Sequence, residues 1–166
     1  MTAVPRMGTN ARMLDELTIR PATESDLGSL QDLYRHLNPG DPVLDIEQAR
    51  RILARLSHYA GSAVLLGMCD DTIATTCTLV VIPNLTRGGA PYALVENVIT
   101  APRYRKRGFG KVILTEALSL AWEQGCYKVM LLTGSKDPAT LRFYGDVGFE
   151  QSKTGFQMRR VPARTD

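Results

Sequence analysis

After residue 16 the apolar positions of the chain fall into blocks that switch between helical and strand-like spacing. Residues 1–16 keep neither period and read as a poorly ordered leader ahead of a single domain over 17–162. Leu17-Thr-Ile-Arg20 has the pattern of a first strand. It runs into Pro21-Ala-Thr-Glu-Ser-Asp26, where Thr23 can cap a helix and Asp26, three residues on, can reach back to it. Leu27, Leu30, Leu33, Tyr34 and Leu37 then hold helical spacing until Asn38-Pro39-Gly40-Asp41-Pro42 stops them. A second helix is expected from Asp45 to about Ser57, with Ile46, Ala49, Ile52, Leu53 and Leu56 facing inward.

From Ser62 the pattern becomes strand-like. Ala63–Cys69 and Thr72–Ile82 flank an Asp70-Asp71 turn and read as a hairpin, and a breaker-rich loop, Pro83–Pro91, delivers the chain into a third apolar run, Tyr92–Thr100. A basic, glycine-containing turn follows, then a helix expected from Lys111 with Ile113, Leu114, Ala117, Leu118 and Ala121 on one face, ending near Gly125. Tyr127–Thr133 reads as a strand, which this strand-helix-strand order makes parallel to Tyr92–Thr100. Asp137 and Pro138 open a short helix through Leu141, Phe143 and Tyr144. Glu150–Lys153 and Phe156–Arg160 are expected to close the chain as two further strands. The order β-α-α-β-β-β-α-β-α-β-β describes an α/β domain.

Composition narrows this picture without redirecting it. A chain of 166 residues, 44% of them hydrophobic, suits one compact domain. Its 20 basic and 17 acidic residues, a formal charge of +3, are too balanced for broad nucleic-acid binding. The cations are instead concentrated at residues 103–111. Cys69, Cys77 and Cys126 lie in apolar contexts without CxxC spacing, so buried reduced thiols are expected rather than disulfides or a metal centre, and no metal is expected elsewhere. No apolar run approaches the roughly 18 residues of a membrane span, and the N-terminal stretch lacks a signal-like apolar middle. A soluble cytoplasmic protein without membrane association is the expectation.

The chemistry concentrates in Arg105-Lys-Arg-Gly-Phe-Gly110, flanked by Arg103 and Lys111. Gly108 and Gly110 allow backbone to approach a ligand, and the amides of the next helix N-terminus favour an anion. The spacing is neither the P-loop pattern nor the three-glycine dinucleotide fingerprint, so a nucleoside triphosphatase or dehydrogenase is disfavoured.

This turn, after an apolar strand and Pro102, resembles the [Arg/Gln]-x-x-Gly-x-[Gly/Ala] motif of the GNAT superfamily of N-acetyltransferases. About 40 residues later the family's aromatic-Tyr-x-x-x-Gly-Phe motif has a counterpart in Phe143-Tyr144-Gly-Asp-Val-Gly148-Phe149. The resemblance runs from roughly Leu17 to Arg160. It implies the GNAT fold, a mixed sheet of six to seven strands flanked by about four helices, and an acetyl-CoA-dependent N-acetyltransferase acting on a primary amine of a small molecule by direct transfer in a ternary complex. A homodimer is the expected assembly. A protein or peptide N-acetyltransferase is the alternative within enzymology, and a non-catalytic acyl-CoA-binding regulatory module the alternative outside it. Glu96–Ile99, Gly125–Val129 and Phe143–Phe149 are also similar to glucosamine 6-phosphate N-acetyltransferases, although that group has a carboxylate where Asn97 stands.

The resemblance implies roles for individual residues. Arg105, Lys106, Arg107, Gly108, Phe109, Gly110 and Lys111 would cradle the pyrophosphate of acetyl-CoA. The pantetheine arm would pair with Val98, Ile99 and Thr100, whose strand would also donate amides to the thioester oxygen. Glu96 is the candidate general base, acting through water, with a paired structural carboxylate as the other reading. Asn97, expected on the opposite strand face, is a candidate substrate contact. Tyr144 takes the position of the general acid toward the leaving thiolate. Asp137 stands where the family has a cofactor-contacting Asn, and a plain helix cap is its alternative. Arg87 is a candidate contact for an anionic acceptor, or else a solvated loop charge.

Overall fold

The computed structural model describes residues 17–37 and 39–160; the expected leader, and the end of the domain beyond residue 160, lie outside them. Five strands, β1 (Thr18–Pro21), β2 (Ala63–Cys69), β3 (Thr72–Ile82), β4 (Tyr92–Thr100) and β5 (Val129–Leu131), form one sheet in sequential order. β1 to β4 pair antiparallel and β5 joins β4 in parallel. Four α-helices among the described residues accompany them: α1 (Leu27–Tyr34), α2 (Ile46–Ser57), α3 (Phe109–Glu123) and α4 (Pro138–Gly145). The chain divides into two compact units that part between Leu131 and Leu132, so the sheet and α1–α3 belong to the first and α4 to the second.

Each face of the sheet has its own apolar cluster. Leu30 and Leu33 of α1 pack with Val64, Leu66, Ile73 and Ile99 on one side, while Leu17, Cys69, Ala74, Tyr104 and Phe109 gather toward α3 on the other. α3 buries Phe109, Ile113, Leu114, Ala117 and Ala121, the i, i+4 and i+8 spacing of a core-facing helix. The three cysteines are free and buried, and burial pushes the Cys77 thiol up to about 12.

The entry to α1 follows its sequence signature. Asp26 accepts from the Thr23 amide at 2.7 Å and its hydroxyl at 2.8 Å, and both of its oxygens take Arg20 nitrogens at 2.7 Å. One carboxylate thus ties β1 to the start of the helix. The Arg20 guanidinium, with help from Thr23, holds its carboxyl well below the usual carboxylate range.

Three expectations need correction. The sheet among the described residues has five strands rather than six to seven, because neither closing segment pairs. Glu150–Lys153 has no apolar residue with which to bury a face, and Phe156 and Met158 stand 95% and 98% exposed. On α2 only Ala49 is buried, with Leu53 and Leu56 partly so on the same i, i+4, i+7 line, while Ile46 at the first helical position and Ile52 off that line are exposed. α3 begins at Phe109 rather than Lys111, since Gly108 in the left-handed region at φ 84° is its N-cap.

Asp26→Asn preserves size but removes the charge-assisted bonds. It should lower stability at pH 7 by about 1–2 kcal/mol, kept to that range because Arg20 is partly solvent-screened. With the folded-state pKa of Asp26 depressed, its contribution is complete above the unfolded value near 4 and is lost as pH falls from there toward the folded value. Melting of wild type and variant should therefore differ most at neutral pH and converge in acid.

Candidate active site

β3 and β4 do not stay in register. Thr76 faces Ile99 but Thr78 faces Glu96, so Asn97 and Val98 together oppose Cys77, and β4 carries a bulge of one extra residue. Asn97 takes φ 53° there, a conformation asparagine tolerates better than the β-branched residues that follow it. The bulge inverts the alternation. Val95, paired with Leu79, looks to the α3 side, whereas Ile99, four residues on, packs with Leu30 and Leu33 of α1. Pairing of β4 with β5 ends at the same place, at Val95 with Leu131. Among the described residues of the sheet, β4 from Glu96 to Thr100 has a partner strand on its β3 side alone, which leaves an open edge for an extended ligand.

Glu96 sits beside the bulge, opposite Thr78 and half-buried, and burial raises its carboxyl above the ordinary value. The Asn97 side-chain nitrogen approaches the Thr78 hydroxyl at 3.5 Å. Cross-strand partners share a face, so the Asn97 amide comes round to the side of Glu96 rather than opposing it as a regular strand would require. This corrects the expected placement, and the bulge is the cause. Farther along, Thr75 donates its hydroxyl to the Ile99 carbonyl at 3.0 Å and meets the Thr100 hydroxyl at the same distance, which fixes the end of the strand.

The basic turn continues directly from that end. Tyr104 and Phe109 bury their rings 5.9 Å apart, with Phe109 only 1% exposed, so the turn is anchored by side chains pointing inward. Arg105 donates from Nε to the Thr100 carbonyl at 3.1 Å, and Arg107 lies over both rings, 5.6 Å from Tyr104 and 4.9 Å from Phe109. Lys106 at φ 61° and Gly108 at φ 84° curl the backbone into the first turn of α3, whose initial amides lack intrahelical acceptors. The start of α3 thus lies next to Arg105, Lys106, Arg107 and Lys111 in sequence, which combines a helix N-terminus with cations. That suits a pyrophosphate.

In the second unit, Asp137 caps α4 by accepting from the Ala139 amide at 2.9 Å, the helix-cap role of its two readings. Gly148 at φ 105° turns the chain after α4 so that the Phe149 amide bonds the Tyr144 carbonyl at 3.1 Å. Phe149 then stands edge-on to the Tyr144 ring at 6.3 Å, with Phe143 at 5.0 Å on it as well. The Tyr-x-x-x-Gly-Phe spacing is therefore a device for fixing one phenol.

A family model described as the acetyltransferase (GNAT) family matches residues 30–149. The chain belongs to the GNAT acetyltransferase family. A relative named glucosamine 6-phosphate N-acetyltransferase, from Trypanosoma brucei brucei, is 32% identical over 136 residues, 81% of this chain and 89% of its own. A protein of known structure from Agrobacterium tumefaciens str. C58, assigned to the acetyltransferases, is 42% identical, with TM-score 0.81 over 86% of this chain and 99% of that one. An acetyltransferase from Trypanosoma brucei gives 29% identity and TM-score 0.76 over the same shares. The GNAT family uses acetyl-CoA, and the activity of this member is acetyl-CoA-dependent N-acetyl transfer.

Within the first unit, the structure of this GNAT enzyme brings Glu96, Asn97, Val98, Ile99, Thr100 and residues 105–111 into one continuous stretch of chain around the bulge and the turn. Phe109 takes part through its backbone, its ring being core. Arg87 stands elsewhere: it stacks over Tyr127 at 5.6 Å, before β4 begins and roughly 13 Å of strand from Glu96. No helix among the described residues is long and apolar enough to cross a membrane. No group of three or more His, Cys, Asp or Glu among them is placed to hold a metal ion.

Gly108→Ala places a Cβ on a left-handed residue, at a cost of about 1–2 kcal/mol, in the basic turn at the start of α3. The dissociation constant for acetyl-CoA should rise on the order of tenfold while the helical circular dichroism signal stays. Titration calorimetry with CoA reads this directly.

Proposed function

We propose that this enzyme acetylates the primary amine of a small molecule by direct transfer within a ternary complex, with Glu96 as general base and Tyr144 as general acid. The observation that carries the proposal is the bulge, which lies beside a carboxylate of raised pKa and an open strand edge that leads into a basic, glycine-containing turn. Acetyl-CoA supplies the activated acyl group when bound. The turn from Arg105 to Lys111 would hold its pyrophosphate, and the open edge at Val98, Ile99 and Thr100 would take the pantetheine arm by main-chain bonds.

An amine that is protonated in solution must lose a proton before it can attack. Glu96, ionised and half-buried, accepts that proton through water, and its raised pKa makes it a stronger base than an exposed carboxylate. Tyr144 donates a hydrogen bond toward the departing thiolate. With ordinary values near 10 for a phenol and 8.5 for a thiol, full proton transfer is uphill by about 2 kcal/mol, so hydrogen bonding carries much of that role. Amino sugar phosphates are the first acceptors to assay, because the relative from Trypanosoma brucei brucei is named for one and covers most of the chain.

Glu96→Gln should lower kcat/KM for the amine on the order of a hundredfold or more, with acetyl-CoA affinity kept. The acid limb of the wild-type kcat/KM profile should be displaced upward from that of an exposed glutamate, since activity falls as Glu96 is protonated on lowering pH through its raised value. That limb should vanish in Glu96→Gln. Tyr144→Phe should lower kcat on the order of tenfold and leave the KM for acetyl-CoA nearly constant. Thiol release monitored over an amine panel checks all three, and a Glu96→Gln enzyme with wild-type turnover would exclude Glu96 as the base.

A further inference from the structure

The end of β4 is held from both sides, and the residue that holds it from within the sheet has no part in the reaction scheme. Thr75 of β3 is fully buried, and its hydroxyl donates to the Ile99 carbonyl at 3.0 Å. A hydroxyl has one proton, and this one goes to Ile99. The 3.0 Å contact between the Thr75 and Thr100 hydroxyls therefore runs from Thr100 to Thr75. Thr75 thus fixes the backbone of one β4 residue and the side chain of the next. It can do so because its partner on β2, Gly67, has no side chain: a Cβ there would lie 2.6 Å from the Thr75 methyl group.

The peptide groups of Thr100 face the other way. The Ala101 amide bonds the Ala74 carbonyl of β3 at 2.9 Å, and successive residues of a strand direct their N–H and C=O groups to opposite edges, so those of Thr100 lie on the open edge. Its carbonyl is already taken there by Arg105 Nε at 3.1 Å. What Thr100 offers a ligand is then its N–H alone. An extended arm pairing along this edge meets its last donor at Thr100, where β4 ends and the basic turn follows. Thr75 inside the sheet and Arg105 outside it pin the side chain and the carbonyl of one residue, and the direction of its N–H is set by the two together.

We propose that Thr75 is a positioning residue for acetyl-CoA, which acts through Thr100 to hold the last N–H of the open edge toward the pantetheine arm. The reading rests on the arm lying along Val98, Ile99 and Thr100, as in the proposed function. It ties recognition of the arm to a buried hydroxyl two strands in from Gly67 and the ligand alike, and it separates the arm from the pyrophosphate: both bonds of the Thr75 hydroxyl go to the strand and neither to the turn.

The test uses the full chain and two probes, CoA and ADP; both carry an adenosine-linked pyrophosphate, and only CoA carries the arm. Thr75→Val keeps the shape of the side chain and removes its hydroxyl. Calorimetry should show CoA binding weakened about five- to tenfold and ADP binding unchanged, while Thr75→Ser, which keeps the hydroxyl, should stay within about threefold of wild type for both. Gly67→Ala, which crowds the Thr75 methyl, should resemble Thr75→Val. Should Thr75→Val not fold, Thr100→Val removes the other partner of the hydroxyl pair and should weaken CoA binding several-fold with ADP binding kept. Equal weakening of both probes overturns the proposal and marks a general loss of structure. So does a Thr75→Val protein that binds CoA as wild type does. A wild-type protein that binds CoA no better than ADP overturns it by removing the arm from the edge, which tells failure of the proposed function apart from failure of the Thr75 role.

Discussion

The structure depends on one extra residue in β4. A strand that keeps strict alternation would hold Val95 and Ile99 on one face, and its free edge here begins where the short β5 stops pairing at Val95. Setting Asn97 and Val98 against Cys77 alone breaks that rule. The apolar set changes sides between Val95 and Ile99, so both remain buried, one toward α3 and the other toward α1. The chain pays for the left-handed Asn97 with a local cost of about 1–3 kcal/mol, and the packing of Ile99 with Leu30 and Leu33 offsets it. In return Glu96, the open edge and the anion turn follow one another in consecutive chain.

The turn after β4 is held by a division between side chain and backbone. Tyr104 and Phe109 reach into the core on the α3 side, and the Arg107 guanidinium covers both rings. Between these two anchored rings the backbone reverses, with Lys106 and Gly108 taking positive φ angles. Preorganised amides do not have to be ordered when an anion arrives, which favours binding more than the same charges on a mobile loop. Arg105 and Arg107 brace the turn, one through the Thr100 carbonyl and the other over the two rings.

Much of this was readable in the residues because it is local. The capping pair Thr23 and Asp26, the helix entry at Asp137 and Pro138, and the two glycine-bearing motifs each depend on spacings within a few residues. What was not readable is relational. The bulge exists only as a register between β3 and β4, and its sole trace in sequence is an asparagine interrupting a β-branched run. The open edge of β4 beyond Val95 is relational too, since it depends on where β5 stops pairing. The expected closing strands failed for a different reason: alternation at Phe156 and Met158 counts as a strand signal only where a face exists to cover them, and both stand exposed. Ile46 and Ile52 on α2 mislead in the same way.

The two ends of the site are built from different materials, and this has a consequence for how its specificity can change. Backbone features such as the open edge and the amide curl are indifferent to most side-chain replacements, apart from the positions with positive φ. On the proposed reading the amine side rests on two side chains, Glu96 and Asn97, whose replacement changes chemistry rather than strand pairing. A hydrogen-bonded site rejects a partner that leaves its buried polar groups unpaired far more strongly than an apolar pocket rejects a misfit. Acceptor choice in this enzyme should therefore be governed by a few polar side chains above a fixed backbone frame, with acetyl-CoA recognition largely insulated from their replacement.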